Sequence, residues 1–317
     1  MQNRVNSGTK EAKEMIKMTK SVFVAITGRP NAGKSSLTNL LVGEKIAIVS
    51  PKPQTTRTRI NGVLTRGETQ FVFIDTPGMH KPRTKLSEQM VKAIDGSIAD
   101  VEVSLLVVDA TKKPAAYEEK LIEDFKAKKC DVILLINKVD LIKNKSDLLG
   151  IIETYSKMYD FAEIIPISVL KKDNTDLIIP AVEKYAVESP HFFDDDLPTD
   201  QPEKVWLSEI IREKLLNNLF DEIPHGIAVQ VESLEYSKTN KGADIVDIGI
   251  AIICERQSHK GMVIGKGGAM LKKIGSLARE EMEEYFGMKV NMKLWVKVKE
   301  DWRNNENAIM DFGLKFE

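Results

Sequence analysis

The feature that most constrains the fold is the segment Gly28 to Ser35, which matches the pattern G-x-x-x-x-G-K-[ST]. It follows a short apolar run, residues 22–26, and precedes a stretch with the spacing of a helix. In such a place, successive backbone N–H groups wrap phosphates, and the start of the helix adds the positive end of its dipole. The segment therefore predicts a phosphate-binding loop between a buried strand and a helix, with an ordinary glycine-rich turn as the alternative.

The phosphate-binding loop supplies the first predicted nucleotide-binding residues. These are Gly28, Arg29, Pro30, Asn31, Ala32, Gly33, Lys34, Ser35 and Ser36. Lys34 is expected to reach the β- and γ-phosphates and to act as a catalytic residue, and the Ser35 hydroxyl is expected to bind Mg²⁺. The predicted cofactor is accordingly Mg²⁺.

Short apolar runs alternate with amphipathic stretches over residues 21–188. The runs cover residues 22–26, 71–74, 103–108, 132–136 and 164–167. The helical stretches cover residues 86–98, 115–128 and 148–159. Runs that are apolar on both faces are typical of central parallel strands, and their alternation with helices predicts a doubly wound α/β sheet.

A second motif directly follows the apolar run 71–74. It consists of Asp75, Thr76, Pro77, Gly78 and Met79, all predicted to contact the nucleotide. A carboxylate at a strand end beside a phosphate-binding loop suits the Mg²⁺ shell, so Asp75 is a predicted metal ligand. The Gly78 N–H is expected to meet the γ-phosphate, which makes Gly78 a predicted catalytic residue. Taken alone, D-x-P-G is also an ordinary turn.

A third motif predicts which base the site selects. After the run 132–136 come Asn137, Lys138, Val139 and Asp140. The Asp140 carboxylate can accept hydrogen bonds from the N1–H and the 2-amino group of guanine together, whereas adenine would leave it unpaired. Ser168 and Val169 follow the run 164–167, and their backbone is expected to close over the base. The predicted substrate and product are GTP and GDP.

The segment 50–59 lies between the phosphate-binding loop and Asp75. It has two prolines, no acidic residue and few apolar residues, which predicts a solvated loop. A threonine in such a loop can complete the Mg²⁺ shell only when the γ-phosphate is present. Loops of this kind become switches for that reason.

The composition of the sequence changes after residue 188. Residues 189–204 are rich in proline and acidic side chains, which is typical of an interdomain linker. A helix is then expected over 205–220, strands over 227–234 and 245–253, a helix over 269–286, a strand over 290–298 and a last helix over 304–312. We therefore predict an N-terminal extension (1–20), a nucleotide-binding domain (21–188), a linker (189–204) and a second domain (205–317).

The second domain contains an I-G-x-x-G loop that fits a KH domain, an α+β fold that binds single-stranded RNA. Glycines there let a nucleic-acid backbone approach closely, and flanking cations can meet its phosphates. The predicted RNA-binding residues are Lys260, Gly265, Lys266, Gly267, Gly268, Lys272 and Lys273. A bare G-x-x-G is also compatible with an interhelical turn, but residues 256–279 contain no acidic residue, which favours RNA.

Composition excludes several other classes of protein. The net charge is −1, so no overall field attracts nucleic acid or membranes. No apolar run approaches the roughly 20 residues that cross a bilayer, the N-terminus lacks a secretory signal, and a cytoplasmic protein is expected. Cys130 and Cys254 are predicted to be free thiols, and the four histidines lack metal-ligand spacing.

The order of these motifs resembles the translation-factor-related small GTPases, and the Thr-Thr-Arg segment with Asp-Thr-Pro-Gly resembles their Era branch. The resemblance implies that Thr56 is the Mg²⁺-contacting and catalytic threonine, with Thr55 as the alternative. Related enzymes of the Ras type place a water-orienting glutamine where this chain has Met79, so slow intrinsic hydrolysis is expected. Arg57 and Arg59 are only candidates for a charge-stabilising arginine.

The resemblance covers nearly the whole chain from Ser21 and implies a prokaryotic (type II) KH fold. It implies binding to the 3′ end of small-subunit ribosomal RNA, with a role as a nucleotide-dependent switch in small-subunit assembly and rRNA maturation. Loose peripheral association with the membrane is also implied. A monomer is expected. Trp295 and Trp302 are expected in the core rather than stacked on bases. The alternatives are an RNA-binding module that holds nucleotide structurally, and a different class of GTPase.

Overall fold

The computed structural model describes residues 19–52, 55–77, 84–99, 101–219 and 223–314. The predicted extension therefore lies outside the described residues, except for Thr19 and Lys20. Two sheets organise the described chain, a seven-stranded one followed by a three-stranded one. This arrangement confirms the predicted α/β nucleotide-binding fold followed by a type II KH fold.

The first sheet is parallel in its centre, with strand order β2-β3-β1-β4-β5-β6. Its strands are β1 (Lys20–Thr27), β2 (Ile60–Arg66), β3 (Thr69–Asp75), β4 (Val103–Asp109), β5 (Val132–Asn137), β6 (Glu163–Pro166) and β7 (Val187–Glu188). Its helices are α1 (Lys34–Val42), α2 (Lys85–Ala99), α3 (Ala116–Lys128), α4 (Lys145–Ser156) and α5 (Ile178–Glu183). Since parallel strands end at one edge, the three predicted nucleotide motifs meet there.

Two strands of this sheet did not stand out in the sequence. The β2 strand pairs antiparallel with β3, and the short β7 pairs antiparallel with β1. The β2 segment lies at the sheet edge and contains Asn61, Gly62 and Thr65, so it lacks the apolar run of a central strand. Its partner and the tight turn at Gly67 determine its structure, rather than its own pattern.

The second unit contains a mixed sheet with strand order β10-β9-β8 and helices packed against both of its faces. Its elements are α6 (Glu203–Asn218), β8 (Ile227–Lys238), β9 (Asp244–Cys254), α7 (Gln257–Ile264), α8 (Ala269–Phe286), β10 (Lys289–Val298) and α9 (Glu306–Asp311). The β8 and β9 strands are antiparallel, and β9 and β10 are parallel. Among the described residues, every helix is too short or too polar to traverse a lipid bilayer.

The segment between the two sheets is hydrogen bonded along the first one. The Gln70 side-chain amide donates to the Phe193 carbonyl at 2.8 Å, and the Val63 N–H donates to the Pro198 carbonyl at 2.8 Å. The Phe192 ring packs edge-on against Phe23, with ring centroids 5.0 Å apart. These contacts attach the connecting segment to the nucleotide-binding unit.

A small apolar cluster joins the two units. Leu86 and Met90 of α2 pack in one cluster with Ala251 of β9, Trp302 and Ile309. Trp302 is fully buried, and its indole Nε1 donates to the Gly226 carbonyl at 3.1 Å. The prediction that Trp302 lies in the core is confirmed, and this core lies between the units.

Candidate functional site

The phosphate-binding loop holds Lys34 in a buried position. The Lys34 Nζ donates to the carbonyls of Gly28, at 2.9 Å, and Arg29, at 3.1 Å. Burial lowers the pKa of Lys34 to about 8, and the nearby Asp75 opposes this shift only in part. A triphosphate bound in the loop would place negative charge beside this ammonium group and raise its pKa again.

Asn137 connects the phosphate-binding loop to the base-binding side of the site. Its side-chain amide donates to the Ala32 carbonyl at 2.8 Å, and its Oδ1 accepts from the Val169 N–H at 3.1 Å. Gly33 has φ 103°, and a Cβ at that position would lie 2.3 Å from the Asn137 Nδ2. Only glycine therefore lets the loop approach Asn137 this closely.

Three oxygen-bearing side chains converge where Mg²⁺ is expected. The Ser35 Oγ lies 2.7 Å from Asp75 Oδ2 and 2.8 Å from the Thr56 Oγ1. Asp75 is fully buried, and its Oδ1 has no hydrogen-bond partner among the described residues. Burial raises the pKa of Asp75 to about 6. A buried carboxylate with one unpartnered oxygen, whose other oxygen lies beside two hydroxyls, fits a hard divalent cation such as Mg²⁺.

The base-binding side contains the predicted guanine-selecting carboxylate. Asp140 lines a cavity of about 650 Å³ together with Leu40, Asn137 and Val169. The Ser168 hydroxyl donates to Asp140 Oδ1 at 2.6 Å, which orients the carboxylate. A carboxylate has about four acceptor sites on its two oxygens, so it can still accept from the paired donors of guanine.

Several other predicted nucleotide residues have structural partners in the same place. Arg29 forms an ion pair with the buried Glu118 and donates to the Lys113 carbonyl at 2.9 Å, so its side chain is directed toward α3. The Asn31 side chain donates to the Pro51 carbonyl at 2.7 Å, and the buried Thr76 donates to the Ile26 carbonyl. Of the remaining predicted residues within the described part of the chain, Pro30 and Pro77 lie in these loops, and Ser36 lies in the first turn of α1. Lys138 and Val139 directly follow β5. Gly78 and Met79 lie outside the described residues.

The prediction of a solvated loop over residues 50–59 is wrong for its centre. Thr56 is 6% exposed and Arg57 is 3% exposed. The Arg57 Nη1 donates to the Ile227 carbonyl at 2.6 Å, and its Nη2 donates to the His225 carbonyl at 3.1 Å. The second unit covers the loop, and the sequence of the loop itself carries no sign of that contact.

Asp109 belongs to the site and was missed in the sequence. The Lys138 Nζ donates to Asp109 Oδ2 at 2.7 Å and to the Asn31 carbonyl at 2.8 Å, so Lys138 bridges β4 and the phosphate-binding loop. Its position in the sequence could have indicated this role, because Asp109 is the last residue of β4, the strand that pairs with β5. A polar residue at that edge of a parallel sheet is expected near the ligand.

The predicted RNA loop joins α7 to α8 in the second unit. Lys266, Lys272 and Lys273 are exposed, and Lys260 is half-buried. Among the residues that the structure describes, none of these lysines forms an ion pair. Gly267 has φ 59°, and nothing lies within 4 Å of the place its Cβ would occupy. The loop thus presents uncompensated positive charge beside an open backbone.

Family models match both units of the chain. Residues 23–138 match the model of the 50S ribosome-binding GTPase family, and residues 222–303 match the KH domain model. Among characterised proteins, the chain is 51% identical to the GTPase Era of Clostridioides difficile, covering 93% of this chain and 99% of that protein. It is also 51% identical to the GTPase Era of Ruminiclostridium cellulolyticum, covering 93% and 98%.

Solved structures of similar proteins match across both units. A crystal structure of Era in complex with MgGDPNP and nucleotides 1506–1542 of 16S ribosomal RNA superimposes with a TM-score of 0.88 at 37% identity. The match covers 93% of this chain and 99% of that one. A variant of Aquifex aeolicus Era bound to GDP·AlF4⁻ gives the same TM-score, identity and coverage.

Proposed function

The chain belongs to the GTPase Era family, and on that premise we propose that it binds the 3′ end of small-subunit ribosomal RNA and assists assembly of that subunit and maturation of its RNA. It is a GTPase that converts GTP to GDP and phosphate and uses Mg²⁺. The observation that carries the RNA part of the proposal is the match, over both units, to an Era structure solved with 16S ribosomal RNA.

In the proposed mechanism of hydrolysis, each residue of the nucleotide site has a separate role. Bound Mg²⁺ would neutralise charge that develops on the phosphates, held by Ser35, Asp75 and Thr56. Lys34 would hold the β- and γ-phosphates, and Gly78 would present its N–H to the γ-phosphate. Asp140 would select guanine. With Met79 at the position of a water-orienting glutamine, intrinsic hydrolysis would be slow and a partner would accelerate it.

The second unit is the proposed RNA-binding domain. The α7–α8 loop offers an open glycine backbone, and Lys260, Lys266, Lys272 and Lys273 offer charge for phosphates. The wider division into an extension (1–20), a nucleotide-binding domain (21–188), a linker (189–204) and an RNA-binding domain (205–317) is part of the proposal. We also propose that the protein is a cytoplasmic monomer and that a fraction of it associates peripherally with the membrane.

One experiment tests the central proposal. The affinity of the full chain for a synthetic 3′-end fragment of 16S ribosomal RNA is measured with GDP and with a non-hydrolysable GTP analogue, and GTP turnover is measured with and without the fragment. We expect tighter RNA binding with the analogue and faster turnover with RNA. A fragment with the complementary sequence serves as the control for non-specific binding.

The opposite results would support the alternative function. RNA binding that does not depend on the nucleotide, together with turnover that RNA does not change, would indicate an RNA-binding module in which the nucleotide is structural. Equal affinity for the 3′-end fragment and its complement would contradict specific recognition of that RNA.

A further inference from the structure

The switch loop, defined here as residues 45–59, is attached to the second unit at its start. The Lys45 Nζ donates to Glu213 Oε2 at 2.7 Å, and the Val49 N–H donates to Glu213 Oε1 at 2.9 Å. Glu213 lies on α6 and is 5% exposed. A single buried carboxylate therefore binds two points of the loop.

The end of the switch loop is attached to the second unit as well. Arg212, the neighbour of Glu213, is 2% exposed and donates from its Nη2 to the Thr55 carbonyl. From the opposite direction, Arg57 donates to the carbonyls of His225 and Ile227. Thr56 lies between these two attachments, and its hydroxyl is 2.8 Å from the Ser35 Oγ in the metal site.

We propose that Arg212 and Glu213 are positioning residues for GTP hydrolysis, because they hold the switch loop in the conformation that brings Thr56 into the Mg²⁺ site. Within the described residues, the hydrogen bonds of these two side chains go to the switch loop and to neighbouring side chains and not to the nucleotide motifs, so their effect passes through the loop. The helix α6 thereby stabilises the conformation of the switch loop that binds GTP. If RNA binding to the second unit changes the contact between α6 and the switch loop, it would also change GTP binding; this consequence rests on the function proposed above.

The ionisation of Glu213 is consistent with this role. Burial raises the pKa of Glu213, but the hydrogen bonds from Lys45, the Val49 N–H and Lys214 outweigh burial and hold the pKa below its ordinary value. Glu213 is therefore a carboxylate at neutral pH. Hydrogen bonds to ionised groups are stronger than those between neutral groups, so this attachment contributes more than an ordinary surface contact.

Thermodynamic linkage makes the proposal measurable. Thr56 serves the metal only when the γ-phosphate is present, so a contact that holds Thr56 in place favours GTP over GDP. By reciprocity, bound GTP favours the contact between the switch loop and α6 to the same degree. Loss of the contact should therefore change the ratio of the two nucleotide affinities, and not both affinities equally.

The test uses Glu213→Gln in the full chain. Glutamine keeps an acceptor for the Val49 N–H but loses the charge that pairs with Lys45. We expect the affinity for a non-hydrolysable GTP analogue to fall about five- to tenfold relative to the affinity for GDP, with slower single-turnover hydrolysis. Glu203→Gln is the matched control, since Glu203 lies on the same helix and contacts Tyr236 and Tyr285 instead.

A second variant approaches the same contact from the loop. Lys45 is exposed, so Lys45→Gln should fold, and it should change the affinity ratio in the same direction. Because both substitutions break the shared Lys45–Glu213 ion pair, the double variant should change the ratio by less than the product of the single changes. An unchanged ratio in both single variants, or an equal change in Glu203→Gln, would overturn the proposal. These measurements omit RNA, so failure of the RNA function leaves their outcome unaffected.

Discussion

Thr56 and Arg57 are neighbours in the chain, but their side chains reach different units of the fold. The Thr56 Oγ1 lies 2.8 Å from the Ser35 Oγ, whereas the Arg57 Nη1 lies 2.6 Å from the Ile227 carbonyl oxygen. The peptide group between them is planar and stiff, so a displacement of one residue is transmitted to the other. One of the connections between the nucleotide site and the second unit therefore runs through the peptide bond from Thr56 to Arg57.

Replacing Asp140 by asparagine should change the base preference of the site. An asparagine side chain has one acceptor oxygen and one donor amide group, so one of the two guanine donors, N1–H or the 2-amino group, would face another donor. Xanthine has a carbonyl oxygen in place of the 2-amino group, and that oxygen can accept from the asparagine amide. We expect the affinity for GDP to fall by at least about a hundredfold and the affinity for XDP to rise. Competition between the two nucleotides for the purified variant measures this change, and unchanged guanine selectivity would refute the assignment of Asp140.

Nucleotide affinity should depend on pH through Lys34. The pKa of Lys34 in the free protein is lowered to about 8, and phosphates raise it again, so binding above that pH takes up a proton. Affinity should be nearly flat from about pH 7 to about pH 8 and fall above about pH 8, by up to about tenfold per pH unit. Titrations with GDP from about pH 7 to about pH 9 measure the slope. The Lys34→Arg variant keeps its charge and should show no such slope; an equal slope would assign the effect to another group.

Adding a negative charge at Gly267 should weaken RNA binding selectively. The open space at Gly267 accepts a side chain, and asparagine and aspartate both tolerate its left-handed backbone. We expect Gly267→Asp to reduce RNA affinity about tenfold or more, and the matched Gly267→Asn to reduce it much less, because the aspartate repels phosphates. Affinity for GDP should stay within about twofold in both variants, as a check on folding. Equal losses of RNA affinity in the two variants would indicate a steric effect instead of a charge effect.

Truncating Trp302 should destabilise the protein strongly. The ring is fully buried in the cluster between the two units, and it packs edge-on against Phe312 with ring centroids 5.5 Å apart. We expect Trp302→Ala to cost about 3–5 kcal/mol in the free energy of unfolding. Trp302→Phe keeps most of the packing but loses the hydrogen bond to Gly226, so it should cost less. Urea denaturation measures both values, and a loss below about 1 kcal/mol for Trp302→Ala would contradict this packing role.

The chemistry of the nucleotide site could be predicted because each motif is local. The phosphate-binding loop through Lys34 and Ser35 and the base motif ending at Asp140 are each contiguous in the chain. Each directly follows an apolar strand, and parallel strands bring their ends to one edge. The helix over residues 269–286 was predicted with the observed bounds, because its apolar spacing and the flanking glycines mark both ends.

The sequence by itself determined the two folds, the order of the motifs and the residue types that we propose bind phosphate, magnesium and guanine. Only the tertiary structure decided that Glu213 binds the Val49 N–H, two residues that lie 164 positions apart. It also decided that Arg57 is buried against β8 and not solvated, and that residues 60–66 pair with β3. The physical reason is that periodicity and turn chemistry act over a few residues, whereas such contacts depend on how completed elements pack and leave no pattern in either segment.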